Sequence, residues 1–524
     1  MSAYTESLRS LSLAKRQEQL WLNPQAAVDD YFEEIYGPEQ RIEIGWPEGT
    51  QRQRTDITRP NSAMAVGIDY GDEGKGRGAD NDADMLLSRP GVKSIDVTRS
   101  AGGHNAGHTI VVNGKRLALH IIPSAVAHER SRNIIGRETS VHPEDLKSEF
   151  EDVEDKVGKG FLQGRVVVSE EAKFNHDIDR AEEVLLRLRT EGQSSGGTGR
   201  GIPTTEAHRY DRTGLSIGEL TQDNWRSRLG NYYDDMERIF DSFGRDLSTS
   251  EVPDFQKTLE TNEPQVRTVG TKNEFLDRVD HSREWLISQN MVQNTVAIHR
   301  ESYNDPSVAQ LFEGAQAMGL HPSLGKRKDV TSTDPSGYMV MNGTAVYLPQ
   351  NIEYRRGYSK GRYNSVVGAD WPRQLELDEE TAQWIQEEAH EYGATTGRKR
   401  TILGPNITME QLNARFSMIE GMVETHMDVA KANEKIKIAA YFVDQEGVVQ
   451  HYQPGLIYQK GLIPVWVEVP GWDGEQVKNA KRIEDLPFEA LQFLSFKQAL
   501  TGYPIEAITT GPRRENFIEL QGYR

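Results

Sequence analysis

The chain has 524 residues, 36% of them hydrophobic, and carries 61 Lys+Arg against 80 Asp+Glu for a formal charge of −19. Such an acidic surplus argues against a nucleic-acid binder, since phosphates are repelled, yet leaves room for a local basic pocket that grips a small anion. With no cysteine, disulfides, thiolate catalysis and Cys-based metal centres are excluded, and with no long apolar run or hydrophobic leader the expectation is a cytoplasmic protein without membrane contact.

In chain order, residues 1–45 read as helical, with Leu8, Leu11, Leu20, Trp21, Tyr31, Phe32 and Ile35 recurring at helical spacing among charges. A polar stretch, Trp46 to Asn61, reads as a linker, so residues 1–60 are expected to precede a main catalytic domain over 61–524. The first strand is predicted at Ala63–Asp69, running directly into glycines. Arg165–Val168 is strand-like and precedes a charged helix around Asp179–Arg189. Residues 220–305 are charged and helix-like, as a helical subdomain or insertion would be. Strands are predicted at 310–312, 436–443 and 463–469, and helices at 378–391 and 408–424. The pattern predicts an α/β fold with a largely parallel central sheet and a P-loop-like nucleotide-binding start.

Five glycine-rich segments carry the chemistry. Gly71-Asp72-Glu73-Gly74-Lys75-Gly76-Arg77 follows the first strand; its glycines let backbone N–H groups approach a phosphate, and Lys75 adds a point charge. Gly76 stands where a P-loop has its Ser/Thr, so a metal ligand must come from elsewhere, and Asp72 is the carboxylate in place. Taken alone, the same heptapeptide reads equally as a surface turn. In Gly102-Gly103-His104-Asn105-Ala106-Gly107-His108-Thr109 the glycines predict a loop, which disfavours a two-His metal site and leaves a phosphate ligand or general acid, or simply a structural His. Gly196–Gly201 is an anion-binding candidate, and Glu313-Gly314-Ala315-Gln316 is expected to follow a strand. Gly393-Ala394-Thr395-Thr396-Gly397-Arg398-Lys399-Arg400 offers arginines able to grip a small dicarboxylate in bidentate fashion, or a solvated basic turn.

Taken in this order, the segments resemble the adenylosuccinate synthetases from about Met64 to Pro512, together with Ala118–Ser124, Thr213–Leu220, Pro470-Gly471-Trp472 and Thr509–Pro512. The resemblance implies a magnesium-dependent ligase that phosphorylates O6 of a purine nucleoside monophosphate from a purine nucleoside triphosphate, then lets the amine of L-aspartate displace phosphate at C6. It implies that Asp72 takes the N1 proton, that Asp72 and Gly107 hold magnesium, that His108 stabilises the transferring phosphoryl group, and that Lys75 assists. Asn105, Thr198, Gln316 and Thr331 match the acceptor site, joined by Arg212, which implies a homodimer because it matches an arginine that crosses the interface. Thr395, Thr396, Arg398 and Arg400 match the aspartate loop. Gly71, Glu73, Gly74, Gly76, Asp428, Thr510, Gly511 and Pro512 match the donor site.

The departures lie at the two nucleotide pockets. Thr425-His426-Met427-Asp428 has His where the family has Lys, which brings ATP or dATP into consideration beside GTP. The segment His321–Lys328 replaces the family's own, with Lys326, Arg327 and Lys328 as substitute phosphate contacts, and Val366-Val367-Gly368 lacks the family's Arg. The first reading is IMP with GTP; the alternative is dGMP with ATP or dATP, as in a viral branch that makes 2-aminoadenine DNA, although typical members of that branch lose the Asp found here as Asp72. A non-catalytic nucleotide-binding regulator would lose Asp72, His108 or the Arg398/Arg400 pair, and all are present. Arg355, Arg356, Lys360 and Arg362 with Tyr358 and Tyr363 resemble a nucleic-acid stripe, but in so acidic a chain a solvated loop or phosphate-facing edge is expected.

Overall fold

Ala63, Met64, Ala65 and Val66 are all fully buried, as a run apolar on both faces must be when it forms the centre of a parallel sheet. In the computed structural model, which describes residues 58–112, 114–189, 198–261, 263–326, 329–367, 373–392, 399–450 and 461–520, they lie in strand β1 (Arg59–Gly67). The strand begins at Arg59 rather than Ala63 because the buried Arg59 guanidinium donates to the carbonyls of Ser302, Asp305 and Val308 at 3.0, 2.7 and 3.0 Å, anchoring what reads as linker. The predicted N-terminal helical stretch lies outside the described residues.

β1 leads into helix α1 (Lys75–Leu87). The remaining central strands are β2 (Ser94–Gly103), β3 (Ser131–Val141), β4 (Val166–Ser169), β5 (Val292–Gln293), β6 (Val308–Ala317), β7 (Ile352–Lys360), β8 (Gly421–Thr425), β9 (Ile505–Thr509) and β10 (Phe517–Glu519). With the short strand Lys173–Phe174, which pairs with β3 off the main path, they form one eleven-stranded sheet in the order β5-β4-β3-β2-β6-β1-β7-β8-β9-β10, and only the β9–β10 edge pair on this path is antiparallel. The mixed α/β fold with a mostly parallel sheet is thus the one expected. Among the described residues no helix is long and apolar enough to cross a membrane.

Several local expectations are corrected. Residues 408–424 are not one helix: the helix over Ile407–Phe416 stops, Met418 turns left-handed (φ 54), and β8 follows. The predicted strands near 436–443 and 463–469 exist, but they pair with each other in a separate antiparallel three-stranded sheet. Glu313–Gln316 lies within β6 rather than after a strand. Residues 225–242 and 272–288 are helical, but a two-stranded hairpin (Glu251–Pro253 with Val266–Thr268) lies between them.

The basic, aromatic stretch at 355–363 is neither a nucleic-acid stripe nor a solvated loop. It falls in and just after β7, where Arg356, Tyr358, Lys360, Arg362 and Tyr363 are all buried. Carboxylates from distant elements neutralise it: Arg356 pairs with Asp82 (2.6 Å), Glu519 (2.9 Å) and Glu506 (3.2 Å), Lys360 with Glu391, and Arg362 with Glu434.

α1 lies close on β7. A Cβ on Gly78 would sit 2.0 Å from Cε1 of Tyr358, whose ring is held by a 3.0 Å hydrogen bond from its hydroxyl to Asp82. Gly78→Ala is therefore expected to cost about 1–3 kcal/mol by overpacking, measured as a lower urea midpoint; an unchanged midpoint would show that the helix can slide.

Candidate active site

In a parallel sheet, ligands bind beyond the carboxyl ends of the strands, where chain direction leaves loops and helix N-termini facing one crevice. The predicted residues are distributed in just this way. Gly71–Gly76 follows β1, Asn105–His108 follows β2, Gln316 lies near the end of β6, Asp428 follows β8, and Thr510–Pro512 follows β9.

After β1 the chain turns through left-handed Gly71 (φ 109) and Asp72 (φ 58) to Gly74, which precedes α1 with no side-chain cap; the first turn of α1 contains no acidic residue. Its N–H groups are left for an anion. Lys75 is buried, and its ammonium pairs with Glu73 at 3.3 Å, while Glu73 also accepts the Gly71 N–H at 2.5 Å. Glu73 thus organises the loop from inside, beyond lining a donor site.

Asp72 projects from this turn with 39% of its side chain exposed and forms an ion pair with Arg400. Arg400 in turn contacts Glu391 (3.0 Å), which also pairs with Lys360 and accepts the hydroxyls of Tyr363 (2.7 Å) and Ser365 (2.8 Å). Burial pushes the Asp72 carboxyl up, but Arg400, backed by Lys360, more than offsets this and leaves it below its ordinary value. Asp72 is therefore ionised at neutral pH.

His108 does not sit on a loop: it opens a short strand (His108–Val112) and is buried against the first turn of α1, where a Cβ on Gly76 would lie 2.8 Å from the His108 Cβ. Its Nδ1 meets a Glu313 carboxylate oxygen, and Arg99 Nη1 lies 3.2 and 3.3 Å from the two ring nitrogens. Burial, then the Arg99 charge, lower His108 to about 4, so the ring is neutral at pH 7. Glu313, pushed up by burial but pulled down by Arg99 and His108, lies at about 2.

On the acceptor side, Gln316 donates to Asn105 (3.4 Å) and accepts from Thr333 (3.2 Å), whose hydroxyl lies 3.4 Å from that of Thr331. Thr198 and Arg212 stand at opposite ends of the helix over Ile202–Asp211, and Ile202 packs on Gly103, where a Cβ would meet it at 2.5 Å. The glycine N–H groups beside Thr198 are already engaged, since Gly199 and Gly201 donate to the Glu183 carboxylate at 3.2 and 2.7 Å.

On the donor side, Arg77 donates to the Gly511 carbonyl (2.7 Å), Met427 N–H to the Thr509 carbonyl (3.1 Å) and His426 N–H to the Thr509 hydroxyl (3.2 Å), knitting the ends of β8 and β9 to α1. Burial raises the Asp428 carboxyl, with Arg77 pulling it back. His426, left-handed and edge-on to Tyr363 (centroids 5.9 Å apart), is lowered by burial and then Lys360 to about 3. The Thr510 hydroxyl is buried with no hydrogen-bond partner among the described residues. Arg99, Glu313, Arg77, Glu391 and Thr333 were not among the residues predicted for the site. Arg77 and Glu313 were readable in their motifs; the others needed the fold. Gly196, Gly197, Arg327, Lys328, Gly368, Thr395, Thr396 and Arg398 lie outside the described residues.

Asp72, partly exposed at the turn after β1, offers a hard carboxylate oxygen of the kind that suits magnesium. The three-residue metal-ligand group found among the described residues, Asp179, Glu182 and His208, lies elsewhere: the imidazole bridges the two carboxylates at 3.1 Å on either side and is raised to about 10, so it supplies the cation itself.

Comparison with known proteins agrees with this geometry. The adenylosuccinate synthetase family model matches residues 64–518. Adenylosuccinate synthetases of Pseudomonas syringae pv. tomato and Clostridium botulinum are 30% and 28% identical over 466 and 459 residues, covering 88% and 87% of this chain and 98% of each relative. A fully ligated adenylosuccinate synthetase from Plasmodium falciparum superposes with a TM-score of 0.73 at 25% identity, over 88% of this chain and all of that one. A cyanophage S-2L succinoaminodeoxyadenylate synthetase bound to dGMP and dATP, at 12% identity and a TM-score of 0.49 over 88% of this chain and 96% of that one, is too distant to bear on the substrate.

Proposed function

Because this chain belongs to the adenylosuccinate synthetase family, and is thus a ligase forming a C–N bond, we propose that its substrates are IMP, L-aspartate and GTP, with magnesium. The observation that carries this reading is the convergence of Asp72, His108 and Arg400 beyond the carboxyl ends of the parallel strands, with an uncapped helix N-terminus beside them.

Asp72, kept ionised by Arg400, accepts the N1 proton of the purine as O6 attacks the γ-phosphorus; the O6–P bond forms and the nucleoside diphosphate leaves. The aspartate amine then attacks C6 and phosphate departs, a better leaving group than the oxo group it replaced. Asp72 and the Gly107 carbonyl would hold magnesium, which would supply charge neutralisation on the phosphates. The N–H groups of the first α1 turn supply donors aimed at phosphoryl charge, and His108 adds one once its second ring nitrogen is protonated. Arg400 is the guanidinium for a substrate carboxylate, so binding of L-aspartate would compete with Asp72 for it. Arg212 is exposed at the C-terminal end of its helix and, in a homodimer, would reach the second copy. The setting is the cytoplasm.

A second reading, dGMP with ATP or dATP, is favoured by His426, whose ring replaces a lysine stem at the donor base. An activity matrix on the full chain separates them: IMP, GMP, dGMP and XMP, each with GTP, ATP and dATP, followed by succinylated product and released phosphate. Turnover of IMP with GTP is expected; preferential turnover of dGMP with ATP or dATP establishes the second reading, and no turnover with any pair overturns both in favour of a nucleotide-binding regulator.

A further inference from the structure

The contact that fixes His108 comes from β6. Glu313 is fully buried and lies in register between Ala65 of β1 and Arg99 of β2, so its backbone cannot move without the centre of the sheet. Each of its oxygens is occupied. Oε2 accepts the Ser124 N–H at 2.7 Å; Oε1 accepts the Ser124 hydroxyl at 2.6 Å and also meets His108 Nδ1. Because an ionised carboxylate only accepts, the ring nitrogen facing it must carry the proton. Arg99 Nη1 lies 3.2 Å from Nδ1 and 3.3 Å from Nε2 and does not distinguish them, so the carboxylate at Nδ1 sets the tautomer.

We propose that Glu313 is a positioning residue for the phosphoryl-transfer step: it holds His108 in the Nδ1–H tautomer and so makes Nε2 the nitrogen that takes up a proton from solvent and donates it in a hydrogen bond to the reacting phosphoryl group. The catalytic half of this rests on the role given to His108 above; the tautomer half does not. The hydrogen bond made by one imidazole nitrogen determines the state of the other, and carboxylates that orient a histidine in this way are worth about 10–100-fold in activity. Ser124 makes the arrangement directional, since its N–H holds Oε2 and its hydroxyl holds Oε1, which prevents the carboxylate from rotating.

Glu313→Gln tests this. Its amide has one oxygen and one NH2; with the oxygen retained by Ser124, the NH2 faces His108 and demands a lone pair on Nδ1. The ring should switch to the Nε2–H tautomer, read by long-range 15N–1H correlation spectra of the full-length enzyme, with the His108 signal identified by its loss in His108→Asn. With it, kcat should fall about 10–100-fold while KM for both nucleotides stays within a factor of two. Glu313→Asp, which keeps the carboxylate, should retain the Nδ1–H tautomer and recover part of kcat. A switched tautomer with unchanged kcat, or an unswitched tautomer, overturns the proposal. So does an Nε2–H ring in the wild type, an outcome readable even if Glu313→Gln does not fold. If the wild type turns over no substrate pair, the substrate reading fails, while the spectra still decide whether Glu313 holds the ring.

Discussion

Asp72→Asn is expected to lower kcat by at least about 100-fold, the lower end of what a positioned general base contributes. The substitution preserves shape and can still accept a hydrogen bond from Arg400, but it removes the charge and the ability to take a proton. Arg400 is central to the expected pattern. In the wild type it is shared between Asp72 and Glu391, and under the proposed function a substrate carboxylate has to displace the first. Neutralising Asp72 frees the guanidinium, so KM for L-aspartate should stay level or fall while kcat collapses. Steady-state kinetics with L-aspartate varied at saturating nucleotides reads both. Retention of kcat within threefold would remove Asp72 from the role of base, and a rise in KM for L-aspartate would show that the Asp72–Arg400 pair helps to build that subsite.

Lys497→Met is expected to destabilise the protein by about 3–5 kcal/mol, because it strips the cation from a fully buried charge cluster. Lys497, on the helix over Phe488–Thr501, is inaccessible to solvent; its ammonium contacts Glu424 of β8 at 2.7 Å and Glu410 of the helix over Ile407–Phe416 at 3.3 Å, with Ser359 at 2.9 Å. Asp69, at the end of β1, is raised by burial and then by Glu410. Three carboxyls share one lysine, and burial pushes Glu410 and Glu424 up to about 7. A carboxyl raised on folding binds its proton more tightly in the native state. Its stabilising contribution is complete below the unfolded value near 4.5 and is lost as pH rises through about 7. The melting midpoint should therefore decline between pH 5 and 8, Glu424→Gln should flatten that decline, and Lys497→Met should shift it to higher pH. Replacing Lys497 and Glu424 together by methionine should recover part of the loss, as apolar replacement of buried pairs does. Calorimetric scans across this range decide; a Lys497→Met protein as stable as the wild type at pH 7 would mean that the carboxyls are already protonated there.

The strand and glycine turn around Asp72 were legible in the sequence because each depends on near neighbours: an apolar run buried on both faces, and residues tolerant of left-handed backbone. The order of the glycine-rich segments was likewise enough to indicate the family, since five such segments in one order are a specific combination. Local pattern failed where two elements share a signature. The short apolar β8 continues from a helix without a periodicity that distinguishes a buried strand from a buried helix, and only the left-handed turn at Met418 divides them. It failed more deeply for charge. The cations at 355–362 read as surface because lysine and arginine usually are, and nothing nearby announces that Asp82, Glu391, Glu434, Glu506 and Glu519 will neutralise them inside the fold. Glu313 reaches His108 across 205 residues of chain, and Asp72 meets Arg400 from another strand's loop. The sequence by itself determined which chemical groups this protein brings to a nucleotide. Which carboxylate holds which cation, and hence which groups stay ionised, was decided only by the tertiary structure, because electrostatic partners are chosen by distance and burial in space rather than by separation along the chain.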